Sequence, residues 1–131
     1  MSLTYPLSLT DNAGSTKTFA ETIRNGQVTE SVDTASTSLE PRRVRISHTQ
    51  TKSKDGIVTD RHLISLSDTQ VESTGSTSSM VINLTVALPR SASFSSTNVK
   101  DGLRMIFDLL TTSTAPTIDS TALDQILRGE S

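Results

Sequence analysis

A chain of 131 residues has room for one domain, and with 33% apolar residues, 3% aromatic residues and no Trp it brings less large apolar surface to a core than an average domain of its size. The absence of Cys excludes a disulfide scaffold, a thiol nucleophile and a Cys-based metal site. The net charge of -2 hides a segregation: Arg42, Arg43, Arg45, Lys52, Lys54 and Arg61 face only Asp55 and Asp60 in their own stretch, whereas Asp101, Asp108, Asp119, Asp124 and Glu130 outweigh Arg104 and Arg128 later on.

The N-terminal segment has no basic run followed by a continuous apolar one, and nowhere do eighteen apolar residues follow one another. The expectation is a soluble chain, unprocessed apart from loss of Met1 and without a membrane partner. Leu3 to Leu9 and Thr16 to Ile23 read as short strands around the turn signal Asp11-Asn12-Ala13-Gly14. Arg24-Asn25-Gly26 is the next turn, and Gln27 to Asp33 alternates weakly. Thr34 to Glu40 is a polar connection that Pro41 closes. Two stronger strands meet at a hairpin tip, Lys52 to Gly56, and a hydroxyl-rich stretch, Asp68 to Ser79, reads as a long loop. The strand SMVINLTVAL follows and ends near Pro89.

Beyond Pro89 the period changes. Thr97 or Asn98 is a candidate cap for a helix with Asp101 in its first turn, and Leu103, Ile106, Phe107 and Leu110 recur at the spacing of one helical face. A second short helix is expected after Pro116, with Ala122, Leu123, Ile126 and Leu127 apolar and Gly129 as its stop. Strands first and two amphipathic helices last give an α+β protein with helices on one face of an antiparallel sheet. The first helix serves either its own sheet or a second subunit, and the small core favours the second.

The three main strands sort residues by period two. Val44, Ile46, Val58, His62, Ile64, Leu66, Met80, Ile82, Leu84, Val86 and Leu88 form an apolar set. Arg43, Arg45, Ser47, Thr49, Arg61, Ser65, Asn83 and Thr85 point the other way. A polyanion senses the local field, so a basic sheet face on an acidic chain is a workable binding surface. The same arginines also serve to keep a sheet face soluble and block edge pairing.

Other chemistry finds little support. His48 and His62 fall on the apolar side with no third ligand nearby, so no metal and no cofactor is expected. No nucleophile elbow or phosphate loop accompanies the serines and Gly75, so no enzyme activity is expected.

The order of elements, with the run Ile82-Asn83-Leu84-Thr85 before Leu88-Pro89, resembles the coat proteins of single-stranded RNA bacteriophages along essentially the whole chain. The resemblance implies an N-terminal hairpin (1–25), a five-stranded antiparallel sheet (27–89) and two helices (97–128) within one domain (1–131). It implies an intertwined homodimer with a continuous sheet, Leu103, Ile106, Phe107 and Leu110 lying at the dimer interface. Dimers would assemble into an icosahedral T=3 shell of about 180 subunits. The shell would package single-stranded genomic RNA, with a maturation protein as a further partner. By the same resemblance Asn83 contacts an RNA hairpin whose binding represses translation. Arg45, Ser47 and Thr49 fall where the family places hydroxyl and basic contacts, with Arg61 and Ser65 on the next strand. The implied location is the virion capsid, assembled in the cytoplasm of a bacterial host. The sequence departs from the family at Val81, where well-known members carry a tyrosine that stacks on a base, and at Leu63, near a position usually polar. Another RNA determinant, or a mostly phosphate-driven interaction, fits this departure. The competing class is a small dimeric nucleic-acid-binding regulator that forms no particles.

Overall fold

The computed structural model describes residues 5–111. It divides into two compact units, Met1–Arg90 and Ser91–Ser131. The first holds six strands: β1 (Leu7–Thr10), β2 (Thr16–Asn25), β3 (Val28–Asp33), β4 (Arg42–Lys52), β5 (Val58–Val71) and β6 (Thr77–Pro89). They form one antiparallel sheet in the order β1-β2-β3-β4-β5-β6, every neighbour in space being the neighbour in sequence. The expectation of a five-stranded sheet with a separate hairpin is therefore corrected. β2 pairs with β3 from Phe19↔Asp33 to Asn25↔Val28, across one bulge, and so joins the hairpin to a single sheet of six strands.

Three of the five connections are one device used three times. In Asp11–Ser15, Ser53–Ile57 and Glu72–Ser76 the first residue's N–H donates to the carbonyl of the fifth, and the fourth residue, always Gly, donates to the carbonyl of the first. Gly14, Gly56 and Gly75 all have positive φ, between 81° and 88°, a region costly for residues with a Cβ. The segment Asp68 to Ser79 is accordingly no long loop: β5 runs to Val71, β6 starts at Thr77, and only Glu72–Ser76 turns. A Cβ built on Gly75 meets nothing within 4 Å, so Gly75→Ala is expected to cost about 1 kcal/mol, read as a lowered thermal midpoint, from backbone conformation alone. The β2–β3 turn is built differently. Neither Asn25 nor Gly26 has positive φ, and Asn25 Oδ1 instead accepts from the backbone N–H groups of Gln27 and Val28 at 3.3 and 3.0 Å.

The sheet is a single layer, and its own core is small. Among the described residues only Phe19 and Val44 are buried hydrophobics. On the face that carries Val44, the exposed Ile64, Met80 and Ile82 lie on β5 and β6. A charged knot fastens one end of that face. Arg42 donates to Asp68 Oδ2 through Nε and Nη2, at 3.2 and 3.0 Å, and to Asp33 Oδ2 through Nη1 at 3.3 Å. Asp33, only 3% exposed, also accepts from the Ala35 N–H at 3.0 Å and so anchors the β3–β4 connection. Removing one partner of a buried pair strands the other, so Asp33→Ala is expected to destabilise by about 2 to 3 kcal/mol, measured by denaturant melting.

The second unit contains α1 (Ser96–Leu110). Its start differs from expectation: Ser95 is the cap, its N–H donating to Asn98 Oδ1 at 2.9 Å. No acidic residue occupies the first turn, since Asp101 falls in the second. Val99, Leu103, Ile106, Phe107 and Leu110 form one stripe along the helix, and Ile106 and Phe107 are 47% and 46% exposed. The second helix expected after Pro116 lies outside the described residues, so the structure gives one of the two.

Candidate nucleic-acid interface

Strand register decides which of the candidate side chains share a surface. β4 pairs with β5 as Arg43↔Ser67, Arg45↔Ser65, Ser47↔Leu63 and Thr49↔Arg61. β5 pairs with β6 as Ser67↔Val81, Ser65↔Asn83, Leu63↔Thr85 and Arg61↔Ala87. Directly opposed residues lie on one face, so Arg43, Arg45, Ser47, Thr49, Arg61, Ser65, Asn83 and Thr85 all occupy the same surface. Arg45, Ser65 and Asn83 form one row across three strands, and Ser47, Leu63 and Thr85 form the next. Arg43, Arg45, Thr49, Arg61, Asn83 and Thr85 are exposed, whereas Ser47 and Ser65 are half-buried.

The cations on this face are not equivalent. Arg45 and Arg61 make no ion pair among the described residues, while Arg43 Nε stands 3.4 Å from Glu30 Oε1. Glu30 comes from β3, where it pairs with Arg45 in register. Sequence reasoning missed Glu30, because β3 alternates weakly and the β3–β4 register cannot be read from either strand alone. Arg42 points to the other face, into the Asp33 and Asp68 knot. The basic stretch between Arg42 and Arg61 is thus partly neutralised by acids from elsewhere in the chain.

The row His48↔His62 belongs to the opposite, apolar face, as alternation predicts. The two Nδ1 atoms are 2.9 Å apart with the rings at 70°, so one imidazole donates to the other. No group of three or more His, Cys, Asp or Glu suited to a metal ion occurs among the described residues. Further along that face, Arg90 grips Asp60 through two bonds, Nε to Oδ2 at 2.9 Å and Nη2 to Oδ1 at 3.0 Å. These hydrogen bonds and the guanidinium charge hold the Asp60 carboxyl below its ordinary range. A depressed carboxyl stabilises the fold above its unfolded value and loses that contribution as pH falls through the folded one. Asp60→Asn is therefore expected to lower the thermal midpoint at pH 7 and to flatten its fall below about pH 4, so that the two proteins converge at low pH.

The surface carries two guanidiniums without an ion pair among the described residues, a carboxamide and hydroxyls on a regular grid, with Leu63 and Val81 as apolar insets. No protein-family model and no curated protein matches the chain. Solved structures do. A virus-like particle of bacteriophage AVE019 is 14% identical with a TM-score of 0.61, over 98% of this chain and 97% of that one. The coat protein of bacteriophage EMS014 is 15% identical with a TM-score of 0.63, over 95% and 93%. A virus-like particle of Wenzhou levi-like virus 1 is 22% identical with a TM-score of 0.57, over 95% and 96%. The chain has the fold of levi-like bacteriophage coat proteins. The resemblance drawn from its strands and the Asn83 run is borne out at the level of the fold.

Proposed function

We propose that the chain is a capsid subunit that dimerises, assembles into a closed shell and packages single-stranded RNA on the Arg45 and Asn83 face. The observation that carries this reading is the end-to-end likeness to chains that build virus-like particles, covering 98% of this chain and 97% of that one. Coat function requires no catalytic group, in keeping with a face of arginines, hydroxyls and an amide.

The physical case for self-association starts from the small core. A one-layer sheet with a greasy face needs a second layer, and the stripe of Leu103, Ile106, Phe107 and Leu110 supplies one when a second copy lays it across the sheet. Among the described residues β6 is an edge strand of 13 residues with Met80, Val81 and Ile82 exposed, an arrangement suited to pairing with the same strand of a second copy. Such pairing continues the sheet and places two Asn83 rows side by side on one surface. That doubled surface is suited to a folded RNA hairpin, and occupancy of such a hairpin is the route to translational repression. Shells of the T=3 class, a maturation protein and assembly in a bacterial cytoplasm complete the reading.

Light scattering on the purified chain over a hundredfold range of concentration tests it. A capsid subunit gives particles of millions of daltons, on the order of a hundred copies or more. A discrete dimer at every concentration establishes the free regulator instead.

A further inference from the structure

We propose that Glu30 is a positioning residue that limits phosphate-driven binding on the sheet face by holding Arg43, which leaves single-stranded RNA to be recognised by Arg45, Arg61 and the Ser65–Asn83 row. The inference rests on the reading of this face as the RNA surface. Its physical basis is the placement of the acid. Glu30 is half-buried, its carboxylate 3.4 Å from Arg43 Nε, and its backbone is directly opposite Arg45. A carboxylate shielded from water by neighbouring strands is screened less than one on a surface loop, so it repels an approaching phosphate more strongly.

The consequence is a division of labour. With Arg43 occupied, the unpaired cations of β4 and β5 on this face are Arg45 and Arg61, at opposite sides of the Ser47–Leu63–Thr85 row. Fewer phosphate contacts mean weaker binding to arbitrary strands, and a larger share of the affinity then comes from hydroxyl and carboxamide bonds to bases and 2′-hydroxyls. An acid among the arginines thus lowers affinity for any polyanion while sharpening discrimination between them.

The test uses the full chain below the concentration at which particles form, with a uridine 20-mer and the corresponding thymidine 20-mer DNA as probes. Glu30→Gln is expected to bind the uridine strand about fivefold more tightly, with a salt dependence steeper by about 0.7 in logarithmic slope per freed arginine. Its preference for RNA over DNA is expected to shrink. Arg43→Ala alone changes affinity less than twofold, but added to Glu30→Gln it abolishes the gain. Glu30→Thr, a strand-favouring replacement, repeats the measurement should the glutamine variant fold poorly. Unchanged affinity and slope in both Glu30 variants, while Arg45→Ala and Arg61→Ala still weaken binding, would overturn the inference and leave the RNA face standing. If neither the arginine nor the glutamate variants alter binding, the face itself is misassigned and the inference falls with it.

Discussion

Phe107→Asp is expected to abolish the proposed particle formation and to leave a small, poorly associating subunit. Phe107 lies mid-stripe on α1, flanked by Leu103, Ile106 and Leu110, and is 46% exposed. Covering a phenylalanine side chain is worth about 1.5 to 3 kcal/mol, and placing a carboxylate against the same apolar surface costs several more. A two-fold interface counts each change twice, so dimerisation weakens by at least ~6 kcal/mol, more than four orders of magnitude in the association constant. Asp101→Asn, on the polar side of the same helix, leaves assembly intact. Sedimentation velocity separates the outcomes, and unaltered shells from the Phe107 variant would show that the stripe does not lie between subunits.

Arg45→Ala and Asn83→Ala are the second large effect, expected to weaken RNA binding while sparing the proposed shell. Both residues sit on the row Arg45–Ser65–Asn83, and neither side chain supports the fold through an ion pair. Loss of a charge-assisted phosphate contact or a base contact costs about 1 to 3 kcal/mol, roughly tenfold in affinity per subunit. Their signatures differ. Arg45→Ala reduces the salt slope by about 0.7, as expected for one phosphate on a single strand, whereas Asn83→Ala lowers affinity with the slope unchanged. Filter retention across a salt series reads both. Variants that misfold while retaining full RNA affinity would place these residues in the structural framework instead.

Much of the fold was legible because its signals are local. The alternation of Val44, Ile46, Leu66, Ile64, Ile82 and Leu84 against Arg45, Ser65 and Asn83 sorts the two faces from sequence alone, and the register then lines them up. The Asp11–Gly14 and Lys52–Gly56 turns were visible for the same reason. Glu72-Ser-Thr-Gly75-Ser76 carries the same fourth-position glycine, but the polar residues of Asp68–Val71 and Thr77–Ser79 concealed strands whose hydroxyls tolerate an exposed edge.

What stayed hidden is non-local. A count of charges along Arg42 to Arg61 cannot foresee that Asp33, Asp68 and Glu30 arrive from other strands to occupy Arg42 and Arg43. The union of the first hairpin with the rest of the sheet depends on the β2–β3 register and its bulge, which no single strand encodes. The alternation marked Leu63 as facing outward, but only the register shows it between Ser47 and Thr85, at the centre of the polar grid.

The proposed closure of this chain into a shell around RNA is open to a direct test. The most direct measurement is negative-stain microscopy of the chain expressed alone in bacteria, taken from the fast-sedimenting gradient fraction, with absorbance of the same fraction at 260 and 280 nm. Uniform round particles with a nucleic-acid absorbance ratio are the predicted result; a fraction empty of particles, with all protein at the top of the gradient as a small species, would contradict it.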